Sequence, residues 1–571
     1  MTEPTSKDAL DASVARLNEA KDAWARLPVG ERIPYFERLR KKTARHAEEW
    51  VRAAVDAKRI PEGSPLAGEE WLSGPYAMLH GLNRMIATLE AIRSGRYPRL
   101  GAGSVRTRPD GQVIVDVYPG SLCDRLLTSG IRAEVWMEPG VTPENLTDHM
   151  GSFYRSPQAR GKVALVLGAG NIASIGPLDV LYRMFAMGQV CLLKMNPVND
   201  YLGNIFENVF ADFVEAGWVR LAYGGADVGA YLVSHPGIDE IHITGSGKTH
   251  DAIVFGSGIE GEQRKAANRP ATDKPVTSEL GNVSPTIVLP GPWSAPDFEF
   301  QAEHLATQKF HNGGFNCIAC QVLVLPRDWS GSAKLMGALQ DVIRRTEMRH
   351  PYYPAAEQRQ GRAAGHPQAA RLDSEPGGRT LITDLDPDEV DSLFDEEVFA
   401  AVLAQTSLPS DDPVAYLQRA VAFCNERLHG TLGVNIIAHP ATIKTLGSHL
   451  SEAIAGLRYG TVGLNLWQGA GYLLQDTPWG AFPGHTYQDI QSGIGKVHNT
   501  HLFDAAQKAV VYGPFFPFPR ALLHGERHLL PKPPWFVTHR NAHRVARRMV
   551  AFEADAGLWR LPGIFWYALR S

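Results

Sequence analysis

The spacing of apolar residues along the chain predicts helices in its first part and strands after them. Between residues 9 and about 60, apolar positions recur every three or four residues with charges between them, which is the period of an amphipathic helix. Residues 65–95 continue as a helical region that is apolar enough to be largely buried. Residues 105–140 instead carry short β-branched runs bounded by Pro-Gly pairs, and these runs predict strands at 113–118 and 132–137.

From residue 161 onward, predicted strands and helices alternate, with strands at 162–167, 190–194, 219–223 and 238–246. The glycine-rich turn Gly168–Pro177 lies between the first of these strands and a helix. Such a turn is typical of a dinucleotide site, because the N-terminus of the helix can hold a pyrophosphate. A dinucleotide site also has an acidic residue at the end of its second strand, where this chain has Lys194, so the fingerprint is incomplete.

The length and composition are those of a globular protein with several domains. A chain of 571 residues is too long for one ordinary core, and about two to four domains are expected. Hydrophobic residues make up 44% and charged residues 21%, which separates the chain from disordered proteins. The net charge of −4 gives no global electrostatic basis for binding nucleic acid.

Cysteine usage and the first residues indicate the compartment. Five cysteines, an odd number in mostly apolar surroundings, favour a reduced intracellular environment over a disulfide framework. Met1–Asp8 lacks the apolar core of a signal peptide, and no apolar run reaches the ~18 residues of a membrane-spanning helix. We therefore expect a cytoplasmic protein.

One stretch, Phe310–Cys320, combines a glycine pair with two cysteines and reads Phe-His-Asn-Gly-Gly-Phe-Asn-Cys-Ile-Ala-Cys. Helical spacing precedes it and the apolar run 321–325 follows, so the glycines can turn the backbone and present Cys317 at the edge of a core. Cys317 is a candidate nucleophile, although buried cysteines are commonly inert. The spacing of Cys317 and Cys320 also occurs in zinc and redox sites, but no second pair with zinc spacing accompanies it, and no metal is predicted.

A second stretch, Thr277–Pro285, contains Glu279-Leu280-Gly281-Asn282, and Glu279 lies 38 residues before Cys317. Together the two stretches resemble the motifs of the aldehyde dehydrogenase superfamily, Glu-Leu-Gly-Gly-x-Ser-Pro for the general base and Phe-x-Asn-x-Gly-Gln-x-Cys-x-Ala for the nucleophile. The resemblance implies that Glu279 is the base and Cys317 the nucleophile. Asn282 stands where the family has Gly, and Phe315 stands where it has Gln, so the chain resembles a divergent member.

The resemblance extends to the oxyanion donor and to one cofactor contact. In the family a strand ends in Pro-Trp-Asn, and Ala169–Asn171 stands at that place, so Asn171 and the Cys317 amide are implied to bind the oxyanion. The family's Lys-Pro-Ser-Glu motif falls on Lys194–Pro197, of which only the lysine is kept. Because the acidic residue is lost, the resemblance implies NAD or NADP without a choice between them.

Further residues are implied to touch the cofactor. The run 238–246 ends like the Thr-Gly-Ser strand and turn whose Gly and Ser lie against the cofactor in the family. The family's Glu-x-Phe-Gly-Pro-Val motif falls on 397–402, with Ala400-Ala401 in place of Gly-Pro. In the family that Glu holds the nicotinamide ribose and the Phe flanks the ring. The implied cofactor contacts are Lys194, Gly225, Gly245, Ser246, Glu397 and Phe399.

The resemblance covers about residues 10–508 and implies an α/β fold, with a Rossmann-type cofactor domain, an α/β catalytic domain and a small oligomerisation arm. Residues 509–571 form a C-terminal extension beyond the family core. Two polar regions, 256–275 and 345–380, are rich in residues that interrupt helices and strands, and they are predicted to be surface excursions. The implied divisions are 1–143 with 161–275 for the cofactor domain, 276–475 for the catalytic domain, and 144–160 with 476–508 for the arm.

The implied function is NAD(P)-dependent oxidation of an aldehyde to a carboxylic acid through a cysteine thiohemiacetal and thioester. Aromatic residues near the expected mouth predict a bulky or apolar aldehyde; they are Phe315, Trp467 and Tyr472. One alternative is a CoA-dependent acyl-CoA reductase of the same fold, indicated by the Gly170–Ile172 turn, although such enzymes generally lack a base like Glu279. The other alternative is a non-catalytic scaffold, indicated by the departures from the motifs.

Assembly is predicted through the arm at 476–508, which in the family adds a strand to a partner subunit, so a homodimer or homotetramer is expected. The extension is rich in proline and aromatic residues, as are tails that pack along a neighbouring subunit or over the mouth of an active site, and it is expected to lie on the neighbouring subunit. The alternative is a peripheral contact with anionic lipid through a basic helix at 539–549. Packing on protein is favoured, because the segment carries no long apolar face.

Overall fold

The computed structural model describes residues 2–156, 160–373, 378–410 and 412–571. Seventeen strands form within these ranges: β1 Val105–Thr107, β2 Val113–Tyr118, β3 Arg132–Met137, β4 Val163–Leu167, β5 Val190–Lys194, β6 Val219–Ala222, β7 Glu240–Gly245, β8 Val276–Leu280, β9 Ser284–Val288, β10 Cys320–Pro326, β11 Ala369–Arg371, β12 Thr380–Leu385, β13 Val402–Leu408, β14 Gly433–Ile437, β15 Thr461–Leu464, β16 Gly493–Ile494 and β17 Ala506–Tyr512.

The same ranges hold 21 α-helices, with a π-helical turn at Leu72–Tyr76 between the third and the fourth. They are α1 Lys7–Arg26, α2 Val29–Ala57, α3 Ala67–Trp71, α4 Ala77–Arg93, α5 Leu122–Leu127, α6 Ile175–Met187, α7 Gly203–Val209, α8 Ala211–Ala216, α9 Ala226–Ser234, α10 Gly247–Val254, α11 Gly258–Ala266, α12 Ala295–Phe310, α13 Gly331–Arg345, α14 Ala356–Ala364, α15 Ser392–Asp395, α16 Pro413–Arg427, α17 Pro440–Leu446, α18 Ser448–Gly456, α19 Gly469–Leu474, α20 Ala542–Ala554 and α21 Leu561–Ala568.

The smaller of two sheets has the order β16-β8-β7-β4-β5-β6, and all its pairings are parallel except that of β16 with β8. From β4 the chain first adds β5 and β6 on one side and then returns to add β7 and β8 on the other. The strand order therefore reverses between β4 and β7, and in doubly wound sheets ligands bind at the carboxyl ends of the strands on either side of such a point. The predicted Rossmann-type fold is confirmed.

The larger sheet has eleven strands in the order β1-β2-β3-β17-β15-β14-β9-β10-β13-β12-β11. Its central strands run parallel and are apolar on both faces, since helices cover both sides. The β2–β3 hairpin extends this sheet through antiparallel pairing of β3 with β17. The hairpin was predicted inside the 1–143 part of the cofactor domain; by its hydrogen bonds it belongs to the larger sheet instead.

The chain passes from the smaller sheet to the larger one over residues 281–283, between β8 and β9. Glu279 lies in β8 and pairs with Thr244 in β7. The division predicted between residues 275 and 276 is therefore displaced, because strand 276–280 is hydrogen-bonded into the smaller sheet. The candidate base thus lies where the two sheets meet.

The arm residues pair within their own chain. Strand β17 runs parallel to β15, with Thr461 opposite Ala509, and it crosses the predicted division at 508/509. Gly493 in β16 pairs with Glu279, so the arm also covers the edge strand that carries the candidate base. Strands β16 and β17 thus have pairing partners within one chain, and the pairing of the arm with a partner subunit stays a prediction. Of the other predicted arm segment, 157–159 lies outside the described residues.

The C-terminal extension makes extensive contacts with its own chain, and the packing on a neighbouring subunit stays a prediction. Helix α12 receives most of it: Lys532 forms a 2.7 Å ion pair with Glu303, the Val537 amide donates to Thr307 Oγ1 at 3.1 Å, and the Phe536 ring stacks on His304. Helix α20 lies against α3, where a Cβ on Gly68 would come within 2.6 Å of the Ala542 backbone. The basic helix predicted at 539–549 is observed at 542–554.

The two predicted surface excursions differ. Residues 256–275 form the short helix α11 and lie at the surface, as predicted. Residues 345–380 contain helix α14 and, at its start, the buried side chain of Arg349, so the prediction of an exposed excursion is wrong for this part. Residues 374–377 lie outside the described residues. Among the helices of the described ranges, none is both long and apolar enough to cross a bilayer.

Candidate active site

The carboxyl ends of β4, β5 and β7 open onto a groove of about 1120 Å³. The groove runs along the point where the strand order reverses. It reaches the turn between α12 and β10, which carries Cys317 and which we call the nucleophile turn. All nine residues that the sequence singled out line it: Cys317, Glu279, Asn171, Lys194, Gly225, Gly245, Ser246, Glu397 and Phe399. The structure therefore brings together residues spread over 229 positions of the chain, from 171 to 399.

The nucleophile turn owes its shape to left-handed backbone. Helix α12 ends at Phe310, and Asn312, Gly313 and Gly314 follow with φ of 53°, 67° and 81°. A Cβ on Gly314 would lie 2.5 Å from the Ala400 carbonyl oxygen, so glycine is required there for space as well as for conformation. The turn leaves the Cys317 thiol partly exposed in the groove, whereas Cys320 is buried at the start of β10, as predicted.

The residues that depart from the family motifs are buried and have partners in the fold. Phe315 is buried with Ala400, and its ring centroid lies 5.6 Å from Tyr353 and 5.8 Å from Phe399. Phe315 was predicted at the substrate mouth; it lies instead behind Phe399. Asn282 is buried, accepts from Ser284 Oγ at 2.7 Å and donates to the Gly433 carbonyl at 3.2 Å. Each replacement thus has a structural partner.

Glu279 and Cys317 lie side by side, and each alters the acidity of the other. Burial, and then the negative charge of Asp179, raise the pKa of Glu279 to about 7, against hydrogen bonds with the Cys317 thiol and the Trp479 indole. The indole Nε1 donates to Glu279 Oε1 at 3.3 Å. Burial, followed by the charges of Glu279 and Glu397, raises the pKa of Cys317 well above its usual range. The thiol is therefore neutral near pH 7 and needs a base, and Glu279 is poised to be one.

Asn171 is held at both its backbone and its side chain. Its carbonyl oxygen accepts three hydrogen bonds, from Lys58 Nζ at 3.1 Å, Asn312 Nδ2 at 3.1 Å and Tyr352 Oη at 3.0 Å. Its side-chain Nδ2 donates to the Phe315 carbonyl at 2.9 Å, which leaves the second amide hydrogen for another acceptor. Three donors on one carbonyl fix the position of this residue in the groove.

The donors to Asn171 belong to a buried ion network that the sequence did not indicate as functional. Lys58 lies 2.9 Å from Glu70, Arg349 lies 3.1 Å from Glu70, and Arg349 also pairs with Glu69. All four side chains are at most 5% exposed. The sequence did carry a signal for this network: Glu69 and Glu70 are adjacent acids within the apolar 65–95 region, and buried charges require partners.

The cofactor residues present free polar atoms to the groove. Within the described part of the chain, Glu397 Oε1 is buried without a hydrogen-bond partner, and the Lys194 ammonium makes no hydrogen bond or ion pair. Burial raises the pKa of Glu397 to about 8, and Lys309 opposes this shift. Gly225 begins helix α9 at the same groove. An unpartnered carboxylate oxygen and a free ammonium fit the hydroxyls and phosphates of a dinucleotide.

The other side of Cys317 is filled by aromatic side chains. Cys317, Tyr472 and Trp535 of the C-terminal extension all pack against one cluster. The rings of Tyr472 and Trp479 meet edge to face with centroids 5.7 Å apart. Trp467 and Tyr472 therefore lie near the candidate nucleophile as predicted, while the contribution of Trp535 was missed. We call this set the aromatic wall; its buried members are Tyr182, Ile318, Leu432, Trp467, Trp479 and Val497.

Asp179 is a further residue of the site that the sequence analysis did not identify. It is 1% exposed in helix α6, accepts from Thr244 Oγ1 at 2.9 Å, and its charge contributes to the raised pKa of Glu279. The sequence signal for Asp179 was a carboxylate in an otherwise apolar helix, because a carboxylate is costly to bury unless it has a partner.

Outside the groove, ligand atoms of Asp297, His439 and His524 lie within 4.8 Å of one another. Asp297 closes the capping box of its own helix and accepts from His524 Nε2 at 3.0 Å. His439 Nδ1 accepts from the Ala441 amide at 3.1 Å, so the neutral ring carries its proton on Nε2 and has no lone pair left for a metal. The three side chains are therefore explained by their structural contacts, in which His524 of the extension bonds to Asp297 of α12.

Comparison with known proteins agrees with this geometry. The pattern of the aldehyde dehydrogenase family matches residues 146–368, a range that contains Asn171, Lys194, Glu279 and Cys317 and ends before Glu397. The chain thus matches the aldehyde dehydrogenase family over this range, and it shares its fold with solved aldehyde dehydrogenases.

The relatives are distant. The chain is 22% identical over 341 residues to N-succinylglutamate 5-semialdehyde dehydrogenase of Ectopseudomonas mendocina, a match that covers 58% of this chain and 55% of that protein. The chain thus spans about half the length of that relative. Two solved structures share the fold: an NAD-dependent aldehyde dehydrogenase from Sinorhizobium meliloti, with 18% identity, TM-score 0.58 and coverage of 90% and 89%, and a glyceraldehyde-3-phosphate dehydrogenase from Methanocaldococcus jannaschii complexed with NADP, with 14% identity, TM-score 0.57 and coverage of 90% and 96%.

Proposed function

We propose that the protein is an NAD(P)-dependent aldehyde dehydrogenase that oxidises an aldehyde to a carboxylic acid. The observation that carries the proposal is the pairing of the Cys317 thiol with the Glu279 carboxylate at one end of a dinucleotide-type groove. A thiol of raised pKa beside a carboxylate of pKa about 7 forms a nucleophile and its base.

The first step that these residues support is addition to the aldehyde. Glu279 takes the thiol proton, Cys317 Sγ bonds to the carbonyl carbon, and the carbonyl oxygen becomes an oxyanion in a thiohemiacetal. The free amide hydrogen of Asn171 and the Cys317 backbone amide are its donors, and one such donor typically contributes ~3 kcal/mol. Because the Asn171 carbonyl is held by three hydrogen bonds, this donor is fixed before substrate arrives.

A bound nicotinamide dinucleotide would supply the hydride acceptor for the oxidation. Lys194 and Glu397 line the groove and would hold its hydroxyls, and Phe399 would flank its ring. After the oxidation, Cys317 carries the acyl group as a thioester. Glu279 releases the thiol proton to solvent and then accepts a proton from water as the hydroxide adds to the thioester carbon. The C–S bond breaks to give the carboxylic acid, and the leaving thiolate takes this proton back from Glu279.

The substrate proposed is an apolar or aromatic aldehyde, since the aromatic wall adjoins Cys317. A panel of aliphatic and aromatic aldehydes with NAD and with NADP, followed by absorbance of the reduced cofactor, tests the proposal. Turnover that needs Cys317 and either cofactor supports it. No reduced cofactor with any aldehyde would favour the scaffold alternative, and product formed as a CoA ester only when CoA is added would favour the acyl-CoA reductase.

The assembly proposed remains a homodimer or homotetramer. Because β17 pairs with β15 of its own chain, the interface must use another surface or exchange this strand between subunits. Light scattering coupled to size exclusion gives the mass directly. A single monomeric species across a wide concentration range would contradict the proposal.

A further inference from the structure

Helices α5 and α21 and the segment 528–530 meet on one side of the molecule. Cys123 and Leu127 of α5 pack against the cluster that contains Ile564 and Ala568 of α21. At the other end of α5, the Leu529 amide donates to Ser129 Oγ at 3.1 Å. These contacts make α5 a neighbour of the other two segments although it lies about 400 residues before them in sequence.

Their outer side chains are large, apolar and exposed. Trp559 is 71% exposed and Trp566 is 54% exposed, and Trp566 shares a helical face with Leu569. Exposed apolar residues scattered singly are ordinary, but a group of this size marks an interaction surface. We call it the basic-aromatic face; its apolar members are Leu122, Leu126, Leu529, Leu558, Trp559, Trp566 and Leu569.

Arginines surround and cover this face. The guanidinium of Arg570 lies 3.5 Å from the Trp566 ring centroid, and that of Arg560 lies 4.2 Å from Trp559. Arg125 and Arg527 are also exposed beside the leucines. The side-chain carboxylates of the same segments are already engaged: Asp124 with Arg84, Glu526 with the Phe515 amide, Glu553 with His80 and Asp555 with Arg560. Among the described residues, Arg125, Arg527 and Arg570 form no ion pair, so the face carries unpaired positive charge as well as apolar side chains.

We propose that the basic-aromatic face docks the protein on an anionic lipid bilayer. Tryptophan and arginine side by side suit the headgroup layer, where an indole places its ring among acyl chains and a guanidinium binds phosphate. The helices lie on the surface and do not need to span, which agrees with the absence of a spanning helix from the described ranges. The rest of the extension already packs on its own chain, so the residues left exposed are those without a protein partner there.

A second copy of the chain is the rival occupant, and the charge argues against it. A two-fold interface places the same patch against itself, so Arg125, Arg527 and Arg570 would face a surface that carries the same arginines. Like charges brought together in this way cost free energy, whereas anionic lipid neutralises them.

Flotation of the full-length protein with vesicles tests the proposal. Binding is expected to phosphatidylcholine vesicles that contain phosphatidylglycerol, to be weak on phosphatidylcholine alone, and to decrease with added salt. The double variant Trp559→Ser/Trp566→Ser should lower the bound fraction by at least ~10-fold. Arg125→Gln and Arg570→Gln should each weaken binding about fivefold. Brominated lipid should quench tryptophan fluorescence in the wild type and not in the double variant.

The matched control is Ile259→Ser/Val390→Ser, which removes two side chains that are 75% and 88% exposed elsewhere on the molecule. It should leave binding unchanged, and all variants should keep the wild-type unfolding midpoint. Wild-type protein that fails to float, or a double variant whose oligomer dissociates while lipid binding persists, would overturn the proposal. The second outcome would assign the face to a second copy of the chain.

Discussion

The two sides of Cys317 are built on different principles. On one side lies an open groove whose lining comes from strand ends and glycines that family motifs marked in advance. On the other side lies the aromatic wall, closed by Trp535 of an extension that those motifs do not cover. The open side is formed before any ligand arrives, while an aldehyde on the closed side must fit among aromatic rings or displace them. Under the proposed function, the open side determines the chemistry and the closed side determines which aldehyde reacts.

The largest effect on turnover is expected from removing the Cys317 thiol, which borders both sides. Cys317→Ala removes the nucleophile and should lower kcat by on the order of 10⁵-fold, while dinucleotide binding on the open side survives. Stopped-flow measurement of cofactor reduction and isothermal titration with the dinucleotide give the two quantities. Cys320→Ala is the control, because Cys320 is buried at the start of β10 and should be nearly neutral. An essential Cys320 beside a dispensable Cys317 would refute the assignment.

Glu279→Gln should lower steady turnover by ~10²-fold or more, and it should slow the burst of reduced cofactor without removing it, because Glu279 serves as the base both for addition of the thiol and for hydrolysis. The wild-type rate should rise with pH through about 7, the pKa of Glu279, since only the deprotonated carboxylate accepts a proton. Glu397, with a pKa of about 8, titrates in the same range, and the variant separates the two. A pH profile that Glu279→Gln leaves unchanged would remove Glu279 from the role of base.

Trp535→Ala tests whether the extension closes the aromatic side. Removing the indole should raise kcat/KM for bulky aldehydes relative to small ones by ~10-fold, since a pocket discriminates by a few kcal/mol at most. Trp293→Ala makes the same change in another cluster, beside Trp329 and away from Cys317, and should leave this ratio unchanged. Equal ratios in both variants would mean that the extension serves stability alone.

Tyr352→Phe should have the smallest effect and bears on the open side. It removes one of three hydrogen bonds to the Asn171 carbonyl, and kcat/KM should fall about fivefold, as expected for ~1 kcal/mol. The rate at which iodoacetamide alkylates Cys317 should not change, because that reaction needs no oxyanion donor. Tyr416→Phe is the matched control, since Tyr416 donates to the Val324 carbonyl at 2.9 Å far from the groove. A fall in alkylation rate equal to the fall in kcat/KM would indicate a distorted thiol instead.

Much of the open side could be predicted from the sequence because its signals are local. The strands predicted at 113–118 and 132–137 are observed with those bounds, since β-branched runs between Pro-Gly pairs leave little freedom. The nucleophile turn required left-handed backbone, and glycine at Gly313 and Gly314 indicated it. The structure therefore has in its groove the site residues that these local motifs had identified.

The closed side and the ion network could not be predicted in this way. Lys58, Glu70 and Arg349 come from segments up to about 290 residues apart, and each taken alone is an ordinary surface charge. Trp535 is one of several aromatic residues in the extension, and nothing local distinguishes the one that reaches the aromatic wall. Only Glu69-Glu70 and Asp179, acids within apolar stretches, carried a local signal of burial.

By itself, the sequence determined the period of each element, the turn that presents Cys317 and the residue types along the groove, because these depend on neighbours in the chain. The tertiary structure decided which strands pair: β17 lies beside β15 of the same chain, and Glu279 belongs to the smaller sheet. It also decided that the extension folds back on α12. The physical reason is that such contacts depend on which distant surfaces meet, and that information is not contained in any single stretch of sequence.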